Sequence, residues 1–404
     1  MYNSILSRAT SLKKSVKMTK FTVIKMEIEN GFLDVFGKLE DPRREHRKLH
    51  PMAEILFVTL CSLICGAESW IDVETFGHAK LPFLKKYLPF KNDIPSDDTF
   101  RRFFRAIDPE QFQTLFVEWI RVWLNPEVAE KVIAIDGKKL RGSHDGDKSA
   151  IHMVSAFASE AGIVLGQMKT QEKSNEITAI PELLDWLDIR GSIVTIDAAG
   201  CQKTITQKIV KDGGDYLISL KGNQGTLHED VKLNFEQPCE QAIANMKSIE
   251  TPPEKGHGRI EIRRCRVDTN IDWLRERHPQ WTDLRSIVAV ESERHIGDKI
   301  STETRYFISS STQSPERLLY AVRQHWGIEN KLHWVLDVSF GEDNSRIRKH
   351  HAPANIAIIR HAALNMMRTA KANNPALKRT SIKLMRKSAG WKDEVLALIL
   401  EQVF

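Results

Sequence analysis

The rhythm of apolar and polar positions changes near residue 130. From about residue 31 to 127, apolar residues recur every three or four positions, the spacing of amphipathic helices. "PMAEILFVTLCSLICGAES" and "DVETFGHAKLPFLKKYL" each read as one helix. "PSDDTFRRFFRAIDPEQFQTLFVEWIRVWL" reads as two, split at Asp108-Pro109. The block is an all-α module. In its third helix Ser96 or Asp97 can cap the start, Phe100, Phe103 and Phe104 supply a buried face, and Arg101, Arg102 and Arg105 project outward. A short basic helix behind a turn suits a helix-turn-helix contact with phosphates and the major groove; a solvated arginine face has the same pattern.

After Glu130 short apolar runs replace the helical spacing. "KVIAID" is a buried strand, "IHMVSAFASEAGIVLGQMKT" is two strands turned at Glu160-Ala161-Gly162, and "EITAIPELLDWL" is a helix. "GSIVTIDAAG" and "DYLISLKGN" are further strands, separated by a helix near Gln202 to Lys211. This order predicts an α/β sheet of mixed direction. "RIEIRRCRVD", "RSIVAVESERHI" and "TETRYFISS" follow with few helices between them, and from Pro315 the pattern is helical to the end. The expected division is a leader at 1–30, a helical domain at 31–127, the first part of an α/β domain at 130–235, a β-rich insertion at 236–310 and a helical part at 311–404.

Three carboxylates stand out against this pattern. Asp136 closes the apolar strand "VIAID", and Asp197 closes "IVTID". Taken singly, each reads as a turn or helix cap; two on one sheet suggest a site. Glu329 sits within a helical stripe of Leu318, Val322, Trp326, Leu332 and Leu336, where a carboxylate must be paired, protonated or metal-bound. An internal salt bridge to His325, Arg323 or Lys331 would also satisfy it. Carboxylates gathered in one place repel and raise one another's pKa, a penalty that divalent cations remove. Mg²⁺ prefers such oxygen ligands together with substrate phosphate. Two ions roughly 3.5–4 Å apart can serve both the attacking and the leaving oxygen of a phosphodiester.

Composition adds limits. The chain has 404 residues, a net charge of +6 and a pI near 8.9, which permits nucleic acid as a partner without requiring it. Five cysteines form no metal-ligand or disulfide pattern and suit a reducing cytoplasm. No apolar run is long enough to span a bilayer, and no glycine-rich phosphate loop is present for a nucleotide cofactor. The first residues, basic and free of acids, have the composition of a transit peptide, and read equally as an unstructured leader or as translation begun upstream of Met18 or Met26.

The blocks "GKLEDPR", "CGAESWIDVETFG", "IAIDGKKLRGS", "EKSNEITAIPELL", "TIDAAGCQK", "DYLISLKGNQG", "HWGIENKLHWVLDVSF" and "EDNSRIR" occur in that order. From about Phe32 onward the chain resembles the DDE transposases of bacterial insertion sequences, in the group that includes the H-repeat-associated proteins. The resemblance implies a ribonuclease H-like catalytic domain split by the β-rich insertion. It implies a catalytic and metal-binding triad of Asp136, Asp197 and Glu329, with Asp136 bridging two Mg²⁺ or Mn²⁺ ions. The partners expected are double-stranded DNA, as terminal inverted repeats and target, and a second copy of the chain in a homodimer on DNA. The location expected is the bacterial cytoplasm, at the nucleoid when DNA is bound.

The sequence departs from the wider relatives around the glutamate. They carry a tyrosine, an arginine four before it and a lysine seven after it, whereas His325 and Leu336 stand at the latter two positions here, with Tyr320 and Arg323 further upstream. The phosphate-gripping role thus falls to Arg323, His325, Arg346 or Arg348. Lys138, Lys139, Arg141, Lys221 and Asn223 are further DNA-contact candidates, as is a basic C-terminal face of Lys378, Arg379, Lys383, Arg386 and Lys387. A metal-dependent nuclease of the same fold and an inactive DNA-binding relict are the alternative functions.

Overall fold

The computed structural model describes residues 31–123, 132–145, 149–170, 176–256 and 258–402; the expected leader lies outside them. Internal contacts divide the chain into a helical unit, 1–125 with 345–404, and an α/β unit, 126–344.

The helical unit begins with α1 (Phe32–Phe36), α2 (Met52–Ile64), α3 (Trp70–Leu84), α4 (Asp97–Ala106) and α5 (Pro109–Trp123). Ser69 caps α3 and exchanges hydrogen bonds with Asp72 in a capping box. Ser96 caps α4 by accepting from the Thr99 amide at 3.4 Å. The three phenylalanines of α4 are fully buried, as their spacing predicts.

Among the described residues the α/β unit is one ten-stranded sheet. Its strands are β1 (Val132–Lys139), β2 (His152–Ala158), β3 (Ile163–Lys169), β4 (Ile193–Ile196), β5 (Asp215–Leu220), β6 (Lys247–Glu250), β7 (Glu254–Gly256), β8 (Arg259–Asp268), β9 (Ser286–Ile296) and β10 (Lys299–Ser309). The order is β3-β2-β1-β4-β5-β10-β9-β8-β6, with β7 also on β8. β1 runs antiparallel to β2 and parallel to β4, and β4 runs parallel to β5. Three antiparallel strands followed by two parallel ones across the first strand make a ribonuclease H-like sheet. Strands β8 to β10 do not form a separate layer: Tyr306–Ser309 of β10 pairs with Leu217–Leu220 of β5, so the sheet simply continues.

Helices of this unit are α6 (Glu176–Asp185), α7 (Lys203–Lys211), α8 (Gly225–Glu236), α9 (Glu240–Asn245), α10 (Asp272–Arg277), α11 (Pro315–Gly327) and α12 (Trp334–Phe340). A π-helical turn, Ile328–His333, joins α11 to α12. α11 lies over the sheet, where Leu318, Leu319, Ala321 and Val322 pack with Val132, Ile193, Leu217, Val267, Val288 and Val290. That apolar contact fixes where the π-turn emerges.

The helical unit is completed by α13 (Ala352–Asn373), α14 (Ile382–Trp391) and α15 (Asp393–Leu400). Every residue from Ala352 to Met367 is buried, as befits a helix packed on α2, α4, α5, α14 and α15. Arg386, expected on the basic C-terminal face, is instead buried, donating from Nε and Nη2 to the Leu63 carbonyl at 3.0 and 2.8 Å. It satisfies the end of α2. Lys378, Arg379, Lys383 and Lys387 remain exposed. Asn355 does the same for α4, donating to the Phe104 and Ile107 carbonyls at 2.9 and 3.0 Å. Removing that amide leaves two buried acceptors unmet, so Asn355→Ala should cost about 1–3 kcal/mol. Urea unfolding followed by tryptophan fluorescence should show a lower midpoint, and an unchanged one would mean that other donors reach those carbonyls.

Candidate active-site cleft

The register of two parallel strands brings the aspartates together. β1 and β4 pair up to Ile135 opposite Ile196, and the next residue on each strand is an aspartate. Val132 to Ile135 are completely buried, which accounts for the apolar run, and Asp136 opens where the pairing with β4 ends, while β1 continues to Lys139 along β2. Asp136, Asp197 and Glu329 all line one cleft of about 880 Å³.

Glu329 reaches that cleft through the π-turn. The wider turn interrupts the helical register, and the stripe expected to bury the glutamate holds only in part. Leu318, Val322, Leu332 and Leu336 are buried, but Trp326 is 46% exposed and the Glu329 side chain 57% exposed. The carboxylate is thus presented to solvent at the cleft and needs no buried salt bridge.

A residue overlooked in the sequence completes the cluster. His333, four after Glu329, is buried, with Nδ1 3.1 Å from Glu329 Oε2 and 3.6 Å from Asp136 Oδ2. One ligand atom from each of these three residues lies within 4.8 Å of the others. Two carboxylates and an imidazole at such spacing fit a divalent cation, and the buried Nε2 of His333 has no hydrogen-bond partner in the structure. Burial depresses the imidazole's pKa despite the bond to Glu329, which keeps the ring neutral as a ligand requires. Burial above all, and then the charge of Glu176, pushes Asp136 up to about 7, with Asp197 and Glu329 adding to the effect.

Neighbouring residues shape these positions. A Cβ on Gly137 would stand 2.0 Å from Glu176 Oε1 and 2.6 Å from His152 Nε2. Glu176 and His152, themselves 3.0 Å apart, therefore occupy the space a side chain after Asp136 would take, and would have to move to admit one. Asp197 Oδ1 accepts from the Ala199 and Gly200 amides at 3.0 and 3.2 Å, a turn that also fixes the carboxylate's direction. Asn223, a DNA-contact candidate, spends its amide on the Ala198 carbonyl at 2.8 Å and so braces that turn.

The sequence matches the family "Transposase DDE domain" over residues 128–366. The chain belongs to this DDE transposase family. Residues 33–120 match the companion family "DDE_Tnp_1-associated". "Putative transposase YncI" of Escherichia coli O157:H7 is 41% identical over 381 residues, covering 93% of this chain and 96% of that protein. "H repeat-associated putative transposase YhhI" of Escherichia coli strain K12 is 42% identical over 357 residues, covering 87% of this chain and 93% of that protein. A cryo-EM structure of the piggyBac transposase synaptic complex with hairpin DNA gives a TM-score of 0.40 at 11% identity, covering 91% of this chain and 84% of that one. No described helix is long and apolar enough to cross a membrane. The DDE transposase family works with divalent metal ions, to which the three-residue cluster conforms.

Within the DDE domain the basic candidates have diverse placements. Lys138 is not offered to DNA: its side chain is 11% exposed and bonds Asp337 and, at 2.8 Å, Glu342. Burial works against its charge, but Glu342 and Asp337 hold the ammonium above its ordinary pKa. Arg323 is clamped by both oxygens of Glu254 at 2.7 and 2.9 Å. His325 donates to or accepts from Thr195 Oγ1 at 3.1 Å, and burial drives its pKa to about 4, so it brings no charge to a phosphate. Lys139 is exposed, as is Arg141, with Nε 3.6 Å from Asp343. Lys221 lines the cleft with Lys232 and Arg305, which the sequence reading did not single out, and with Trp326 of the expected apolar stripe; Arg305 lies 4.9 Å over the Trp326 ring. Arg101, Arg102, Arg105, Arg346 and Arg348 belong to the helical unit.

The raised pKa of Asp136 has a consequence for stability. An aspartate titrating near its ordinary 3.8 when unfolded and about 7 when folded costs native stability progressively as pH rises between those values. In chelator, Asp136→Asn should melt higher than wild type at pH 8, at roughly 2–4 °C per kcal/mol relieved, and lose that advantage near pH 4. Equal melting at both pH values would contradict the buried-carboxylate reading.

Proposed function

We propose that the chain cleaves DNA at the ends of an insertion sequence and joins the freed 3′-hydroxyl to target DNA. The observation that carries this reading is the convergence of Asp136, Asp197 and Glu329 on one cleft in a DDE-family chain. Asp136, Asp197, Glu329 and His333 would hold divalent metal there. Mg²⁺ or Mn²⁺ held there would supply Lewis acidity, making the attacking oxygen nucleophilic and steadying the departing one.

The chain's own part is alignment. The Asp197 turn and the Gly137 contact fix two carboxylates relative to the sheet, and neutral His333 orients Glu329. Trp326, with Arg305 over its ring, offers a stacking face for a base, and Lys221 and Lys232 offer charge for phosphates. Hydrolysis joins water oxygen to phosphorus and breaks the P–O3′ bond; transfer joins that 3′ oxygen to a target phosphorus and breaks one P–O bond there. Each step exchanges one P–O bond for another, so neither ATP nor a covalent enzyme intermediate is required. Joining two ends in one event calls for a dimer on DNA.

The test is cleavage and joining of labelled duplexes carrying the terminal repeats that flank the gene, with Mg²⁺ or Mn²⁺. Asp136→Ala, Asp197→Ala and Glu329→Ala should each lose more than about 100-fold, beyond what removing an outer partner costs. His333→Ala should lose activity and require more metal for half-maximal rate. Cleavage without joining would make the protein a nuclease, and binding without cleavage an inactive relict.

A further inference from the structure

The helical unit contains a second concavity, of about 250 Å³. Two distant stretches of sequence supply its cations: Arg101 and Arg105 from α4, and Arg346, Arg348 and Lys349 from the segment before α13. Glu68 is the one carboxylate in the lining, and Ile71, 62% exposed, gives an apolar wall. Arg101 is steadied by Asp97 at 2.6 Å, yet its Nε is buried without a hydrogen-bond partner. Arg105 and Arg346 form no ion pair among the described residues.

Arg105 and Arg346, which lack an ion pair among the described residues, stand beside the Arg101 guanidinium, and an anion among them relieves their mutual repulsion. The attraction comes from side chains and not from the nearby start of α3, because Asp72 already takes the Glu68 and Ser69 amides, both at 2.9 Å. Guanidinium forks match the oxygens of a phosphate, and an apolar wall suits the sugar beside it. The neighbouring Arg102, paired with Asp98 but 76% exposed, continues the basic face along α4.

We infer that this pocket is a phosphodiester-binding site that grips the backbone of duplex DNA through Arg101, Arg105 and Arg346, with Arg348 and Lys349 adding charge. It rests on the reading of DNA as the substrate and assigns to the helical unit a sequence-independent hold on the duplex. Such contacts fix position and leave base readout to other residues.

The experiment is fluorescence anisotropy of the full chain in chelator with a labelled duplex of unrelated sequence, between about 50 and 200 mM salt. Arg105→Ala/Arg346→Ala should weaken binding about tenfold or more and make the slope of log Kd against log salt shallower by about 2, one for each phosphate no longer neutralised. Arg105→Lys/Arg346→Lys should recover most of the slope, which separates removal of charge from misfolding. Affinity and slope unchanged in the alanine pair would overturn the site while leaving the transposase reading intact, as judged by metal-dependent cleavage of end duplexes in the same preparations. A wild type that neither binds nor cleaves any duplex would overturn both. Thermal stabilisation by inorganic phosphate that the alanine pair loses, with duplex affinity unaltered, would make this a free-anion site and overturn the DNA assignment.

Discussion

Mutual repulsion among carboxylates at the end of one sheet is the constraint around which the α/β unit is organised. Asp136 and Asp197 follow the last paired residues of adjacent parallel strands, Glu329 lines the same cleft, and Glu176 stands against Gly137. No folded chain holds such charges for stability's sake. The sheet tolerates them because β1 is buried along its apolar run and because α11 is clamped over β1, β4 and β5 by a continuous core. Local partners then set the direction of each acid: two amides for Asp197, His333 for Glu329. Rigid apolar packing behind the site thus sustains an unfavourable electrostatic arrangement in front of it, as expected where charge is kept for chemistry.

Much of this was legible because local patterns and tertiary demands agree. "VIAIDG" and "IVTIDAAG" announced strands that run into carboxylates: β4 stops just before Asp197, whereas β1 continues past Asp136 to Lys139, paired with β2 alone. The order of strands and helices foretold a mixed sheet, and phenylalanine spacing foretold the buried face of α4. The stripe around Glu329 was half right for a physical reason: a period of 3.6 residues describes α11 and α12 but not the π-turn between them, where Glu329 turns out to solvent, with Trp326 exposed at the end of α11 just before it. The departure from the regular pattern fell at the candidate site, where such departures are expected.

Charge was less legible than hydrophobicity, because a basic residue's partner is a tertiary fact. Lys138, Lys139 and Arg141 look alike in sequence, yet Lys138 is tied to Asp337 and Glu342 while Lys139 stays exposed. Arg323 finds Glu254 on β7, and Arg386 finds a helix carbonyl. His333 was passed over because one histidine in an amphipathic segment carries no local signal; only its distance to Glu329 and Asp136 gives it meaning. The "NEIT" block did carry a signal in retrospect. A glycine directly after an aspartate that closes an apolar run implies close approach by another group, and Glu176 with His152 is that group.

The strands from 254 to 309 change how the cleft is understood. Had they formed a separate β layer, the site would be bounded by the five-stranded sheet and α11 alone. Instead β10 takes the place beside β5, and Glu303 to Phe307 line the cleft with Lys221 and Leu220 across the junction. Arg305 covers Trp326, and Tyr306 packs edge-on against His228. One wall of the cleft is therefore built by β10, while Asp136, Asp197 and Glu329 come from strands and a turn outside it. The carboxylates and the β10 wall sit on separable parts of one sheet, joined by the four-residue ladder between β5 and β10. Changes in β10 can reshape that wall without moving Asp136 or Asp197, since those are set by the β1–β4 register on the far side of β5.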